Sequence, residues 1–141
     1  MLPVTGKRRE QKKMKINNIL LTLALAFTVS CQSAQTEASW YGEKYRGKSM
    51  ANGKAFNPDL PVIASWDYPF GTILELTYRG KKVRGVVWDR GPARKLYHKG
   101  RKLDLSKSLF KKLVGDTDIG IADIRYRKVG QLESYGYPKN K

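Results

Sequence analysis

Two runs rich in β-branched and aromatic residues, 73–78 (ILELTY) and 83–88 (VRGVVW), flank Arg79-Gly80-Lys81, and this constrains the fold more than any other feature of the chain. Such runs suit a pleated, half-buried surface, and a short Gly-containing spacer joins them as a hairpin. Residues 119–126 alternate apolar and polar side chains and predict a closing strand. Helical spacing is confined to 104–114 (DLSKSLFKKLV), with Leu105, Leu109, Phe110 and Leu113 on one face, Ser106 at the N-cap and Gly115 as the stop. Short strands, 13 Gly and one short helix predict a mainly β fold, a small barrel with a sandwich as the alternative. At 141 residues there is material for one core and no second domain of size.

The first thirty residues read as an export signal rather than as part of that core. Lys7, Arg8, Arg9, Lys12, Lys13 and Lys15 precede an apolar stretch, 19–29, too short for a comfortable membrane span of about 20 residues. Met14 offers a second start, since Lys15 onward already forms a short signal. The only cysteine, Cys31, follows Thr28, Val29 and Ser30, and this setting resembles the lipobox of bacterial lipoproteins, which implies a lipid anchor on Cys31. Gln32 is not the Asp that resembles an inner-membrane retention signal, so the resemblance implies outer-membrane delivery in a Gram-negative cell. Residues 31–37 then read as lipidated terminus and tether, 38–129 as the folded domain and 130–141 as a loose tail.

One cysteine cannot close an intramolecular disulfide, and one histidine makes no His cluster, so disulfide scaffolds and zinc hydrolases are excluded and neither metal nor cofactor is expected. The net charge is +16; without residues 1–30 it is 22 basic against 11 acidic residues, or +11. An exported cation of this kind suits anionic envelope polymers better than nucleic acid.

Five segments in order resemble the rare lipoprotein A (RlpA) family of septal-ring lytic transglycosylases: Ala38-Ser39-Trp40-Tyr41-Gly42, Ala51-Asn52-Gly53 with Phe56, Pro69-Phe70-Gly71-Thr72, Asp89-Arg90-Gly91-Pro92 and Asp104-Leu105-Ser106. The resemblance implies a six-stranded double-psi β-barrel with one short helix. It also implies cleavage of the β-1,4 bond between N-acetylmuramic acid and N-acetylglucosamine to a 1,6-anhydro end, with peptidoglycan glycan strands and division-site proteins as partners. Expansins resemble the same barrel, which keeps a non-catalytic wall-binding module as the alternative.

Anhydro-forming scission needs a proton given to the leaving oxygen and one taken from the sugar 6-hydroxyl, and one carboxyl can do both in turn. Asp89, at the end of an apolar strand and before a sharp turn, is the first candidate; capping that turn is its plain structural role. Asp104 is the second, against the usual service of an Asp at a helix start. Trp40 and Tyr41 offer faces to sugar rings, and strand alternation predicts that one points inward and the other outward. Asn52, Lys54, Asn57, Ser65 and Arg90 complete the candidate substrate contacts. The family commonly carries Glu, Asp and His where this chain has Lys54, Asn57 and Ser65. His98 lies in a segment that reads as a solvated basic loop.

Overall fold

A computed structural model describes residues 32–133. The export signal, Cys31 and the tail from residue 134 onward lie outside the described residues. Six strands, β1 (Ala34–Tyr41), β2 (Val62–Ser65), β3 (Thr72–Tyr78), β4 (Lys81–Asp89), β5 (Leu103–Ser106) and β6 (Ile121–Gln131), close into a barrel in the order β1-β5-β2-β4-β3-β6. The β1–β5 and β2–β4 pairs are parallel, the others antiparallel. Among the described residues, two short helices, α1 (Arg94–His98) and α2 (Lys107–Val114), and a 3-10 turn, Glu43–Tyr45, accompany the strands. Residues 32–133 contain the closed sheet and both cores described below, which is the material a domain needs to fold by itself.

The hairpin expected around residue 80 is present with a tighter turn: Tyr78 pairs with Lys81, leaving Arg79 and Gly80 as a two-residue loop with φ of 45° and 85°. Positive φ at both central positions matches the right-handed twist of the flanking strands.

The predicted helix is shorter at its start. Residues 104–106 belong to β5, because both edges of that strand are hydrogen-bonded, to β1 and to β2. Ser106 occupies the N-cap position but makes no capping bond; its hydroxyl donates to the Leu60 carbonyl at 2.5 Å. Gly115 ends the helix in the left-handed region, as expected. The first strand begins at Ala34, inside the stretch read as a tether, and the last runs to Gln131, past the expected barrel end at 129. The segment read as a basic loop is α1, whose side chains are half-buried or exposed, so no apolar face announces it.

The barrel interior is filled from both sheet and helix. Leu74, Leu76, Val87, Leu103, Leu105 and Ile124 pack with Leu109, Phe110 and Leu113 of α2. A second cluster, Met50, Phe56, Val62 and Trp88, forms where the connection between β1 and β2 folds over strand residues. The alternation of Val62 and Ile63, and of Val87 and Trp88, between the clusters is the strand period of two.

The contact between α2 and β4 depends on Gly85. A Cβ there would stand 2.5 Å from Leu109 Cδ2 and 2.8 Å from Ile63 Cδ1, well inside van der Waals contact. Gly85→Ala is expected to cost about 1–3 kcal/mol by overpacking, read as a lowered midpoint in urea denaturation. An unchanged midpoint would show that the helix shifts freely.

Candidate functional site

The barrel topology gathers the site from residues distant in sequence. Asp104 on β5 pairs with Ser39 on β1 and with Ala64 on β2, and Ala64 pairs with Asp89 on β4. Four strands thus present Ser39, Asp104, Ala64 and Asp89 in one row. The β2–β4 register shifts between Ile63 and Ala64. Without the shift Ala64 would face Trp88; the irregularity re-aims the end of β4 and brings Asp89 onto the row. Ala64 leaves room between the two carboxyls. The chain after Asp89 folds back over it, so that a Cβ on Gly91 would stand 3.1 Å from the Ala64 Cβ and 3.8 Å from Asp104 Oδ2.

The two carboxyls have different surroundings. Asp104 accepts a short hydrogen bond from the Ser39 hydroxyl, which in turn accepts one from Arg101 Nη1 at 3.3 Å. Burial pushes the Asp104 carboxyl above the ordinary Asp range; the Ser39 bond and the Arg101 charge work against the rise, and the Asp89 charge adds to it. Asp89 is held by three donors: Ala51 N–H at 2.9 Å and Arg90 N–H at 2.8 Å on Oδ1, and the Tyr41 hydroxyl at 3.2 Å on Oδ2. It therefore does cap its own turn, and it also ties down the loop that carries Asn52 and Lys54. Asp89→Ala is expected to speed amide hydrogen exchange at Ala51 and Arg90 selectively. Unchanged protection at both amides would show that the loop is held by other contacts.

A cleft of about 510 Å³ opens beside Asp104, lined by Trp40, Tyr41, Gly42, Glu43, Lys44, Tyr45, Asp104 and Lys107. Trp40 and Tyr41 do not divide into one buried and one exposed side chain. Both are half-buried, Trp40 against the barrel core and Tyr41 against the second cluster, where it stacks on Phe56 at 4.4 Å between ring centroids. Trp40 Nε1 donates to the Thr117 carbonyl at 2.9 Å, and Lys107 Nζ stands 5.7 Å from the indole centroid. Tyr45 is exposed, with Lys44 and Lys48 each 5.1 Å from its ring centroid. Glu43, Lys44, Tyr45 and Lys107 are cleft residues that sequence reasoning missed; the only signal was their nearness to Trp40-Tyr41 and to Asp104.

The remaining sequence candidates separate. The Asn52 side-chain oxygen accepts from Lys54 N–H at 3.0 Å in a local turn, while its Nδ2 is buried without a hydrogen-bond partner; Lys54 is exposed. Asn57 joins Arg46, Glu43 and Asp59: its oxygen accepts from Arg46 Nη1 at 3.2 Å and from Asp59 N–H at 2.9 Å. Two expected substrate contacts are taken up by the scaffold instead. Ser65 is fully buried, its hydroxyl accepting from Asp67 N–H at 3.2 Å. Arg90 turns its guanidinium onto the Ser65 and Tyr68 carbonyls, at 2.9 and 3.0 Å, and over the Phe70 ring at 3.8 Å. Burial lowers the Arg90 pKa, with the Asp89 charge opposing that shift. Among the described residues no group of His, Cys, Asp and Glu side chains is placed to hold a metal ion.

Comparison with known proteins gives this geometry a family. Residues 33–126 match the family described as lytic transglycolase. The chain is 46% identical over 78 residues to the probable endolytic peptidoglycan transglycosylase RlpA of Aquifex aeolicus, an alignment covering 54% of this chain and 33% of that one. It is 30% identical over 134 residues to the protein of the same description from Nostoc sp., covering 92% of this chain and 33% of the relative. The chain thus spans about a third of the length of these two curated relatives. Among solved structures, a mutant Clavibacter michiganensis expansin in complex with cellohexaose superposes with a TM-score of 0.53 at 26% identity, over 70% of this chain and 51% of the expansin. The matched span takes in every residue of the Ser39–Asp104–Ala64–Asp89 row, and on that basis the chain belongs to the lytic transglycolase family, with a double-psi β-barrel as its domain.

Proposed function

We propose that the domain is an endolytic peptidoglycan lytic transglycosylase that cleaves between N-acetylmuramic acid and N-acetylglucosamine during wall remodelling or septation. One observation carries the reading: a carboxyl, Asp104, lines an aromatic-edged cleft and is held by burial above the ordinary Asp range. A carboxyl so placed keeps its proton nearer neutral pH, as a general acid requires. Asp104 gives that proton to the bridging oxygen as the bond from the muramic C1 breaks. The resulting carboxylate then takes the proton of the 6-hydroxyl as O6 closes on C1, which regenerates the acid and consumes no water. Asp89 serves as a positioning residue through Tyr41 and the 51–54 loop. Trp40 and Tyr41 bracket the sugar, and Lys44 and Lys107 supply positive charge to a carboxylate-bearing strand.

In this reading residues 1–30 direct export, Cys31 carries the lipid, and the protein faces the wall from the envelope, from the outer membrane if the cell is Gram-negative, near division-site partners. Lys54, Asn57 and Ser65, standing where the family resemblance expects ionisable side chains, favour the second reading of an expansin-like module that binds glycan without cutting it. Incubating residues 32–141 with purified sacculi and analysing soluble sugars by mass spectrometry separates the two. Anhydro-ended fragments are expected. Reducing ends would assign hydrolysis, and retention on sacculi without release would assign the binding module.

A further inference from the structure

The outer wall formed by β4, β3, β6 and the start of β1 concentrates cations in two adjacent rows. In the first, Glu75 on β3 faces Arg127 on β6 and Arg84 on β4. Its carboxylate lies 2.7 Å from Arg127 Nη2, 3.6 Å from Arg84 Nη2 and 3.8 Å from Lys82 Nζ. In the second, Thr77 faces Arg125 and Lys82, and Arg125 faces Gln35 on β1. One carboxylate, its side chain 10% exposed, thus stands against three cations whose side chains are 36% (Arg127), 68% (Arg84) and 60% (Lys82) exposed. Exposed Arg125 adds a fourth cation, and exposed Arg79 and Lys81 extend the block to the hairpin turn. The block ends toward the site, where Glu37 pairs with Asp123.

The chain enters the barrel beside this block. Ala34 pairs with Tyr126, next to Gln35–Arg125, and only Gln32 and Ser33 separate β1 from Cys31. Outward charges on neighbouring strands exclude this wall from hydrocarbon but suit a flat, phosphate-bearing surface. We propose that this wall docks the domain on an anionic lipid bilayer, with headgroup phosphates on Lys82, Arg84, Arg125 and Arg127. From Gln35 to Ser39, β1 runs about 13 Å along this wall, at roughly 3.3 Å per residue, so the Asp104 row lies beyond the end of the cationic block. The inference rests on the placement of charge and stands apart from acylation of Cys31 and from the catalytic reading.

Residues 32–141, which lack both signal and anchor, are tested by co-sedimentation with vesicles of phosphatidylcholine alone and of phosphatidylcholine mixed with phosphatidylglycerol, which supplies the negative surface potential. Binding is expected on the anionic vesicles only and to weaken with salt. Each basic residue near such a surface strengthens partition roughly five-fold, so Arg79→Gln/Lys81→Gln/Lys82→Gln/Arg125→Gln is expected to lose at least about ten-fold. The control Lys95→Gln/Lys99→Gln/Lys111→Gln/Lys112→Gln removes the same charge elsewhere and is expected to keep most of the binding. Circular dichroism checks that both variants fold. Equal binding to both vesicle types, equal loss in the two variants, or loss in the first variant on sacculi but not on vesicles would each overturn the proposal.

Discussion

Asp104→Asn is expected to lower release of anhydro-ended fragments by about 10²- to 10⁴-fold, the usual contribution of a positioned general acid and base. Asn fills the same volume and can still pair with Ser39, so the barrel survives while the transferable proton is gone. Wild-type turnover should fall as pH rises through the raised pKa of Asp104, because in the proposed mechanism the protonated form is the one that acts. The same shift makes a statement about stability. A carboxyl whose folded pKa lies above its unfolded value stabilises the fold fully below the unfolded pKa, and that contribution is lost as pH rises through the folded pKa. Above that point the native state holds a partly desolvated charge, so Asp104→Asn is expected to melt no lower than wild type at neutral pH, and its Tm relative to wild type is expected to rise as pH rises through the folded pKa of Asp104. Paired rates and melting curves from pH 4 to 8 read both effects. A variant with wild-type turnover would remove Asp104 from the chemistry and return the role to Asp89.

Phe110→Ala is expected to produce the largest loss of stability, about 3–5 kcal/mol, since it deletes a fully buried ring and leaves a cavity. In a domain of this size each 1 kcal/mol moves Tm by roughly 4–8 °C, so a fall of more than about 10 °C should be seen by differential scanning calorimetry. The reason is architectural: Phe110 stands with Leu109 and Leu113 on the helix that packs against β1, β3, β4 and β5. That helix starts at Lys107, three residues after Asp104, so activity should fall before global unfolding as the variant is warmed. A loss under about 1 kcal/mol would mean that the barrel collapses into the vacated space without cost.

Much of this fold is legible in local sequence because local physics decides it. The β3–β4 hairpin follows from two β-branched runs and a glycine turn, and the stop of α2 follows from Gly115. The start of α2 was misplaced because Asp104-Leu105-Ser106 satisfies a helical pattern and a strand pattern equally; hydrogen bonding to β1 and β2 on both edges settles it as strand. Ser65 and Arg90 misled for a related reason. A polar side chain in a motif looks available to substrate, and only the packing around it reveals that backbone groups of the scaffold already occupy it.

The division for the site is sharper. By itself the sequence determined which chemical groups exist, a pair of carboxyls and a pair of adjacent aromatics in motifs separated by tens of residues, together with the turns that lead into and out of each. Tertiary structure alone decided that Ser39, Asp104, Ala64 and Asp89 share one row, that a register shift turns Asp89 onto it, and that of these two carboxyls Asp104 lines the cleft. The physical reason is that residue identity and short-range propensity act over a few neighbours. Proton affinity, by contrast, is set by burial and by charges that meet only when strands distant in sequence pair edge to edge.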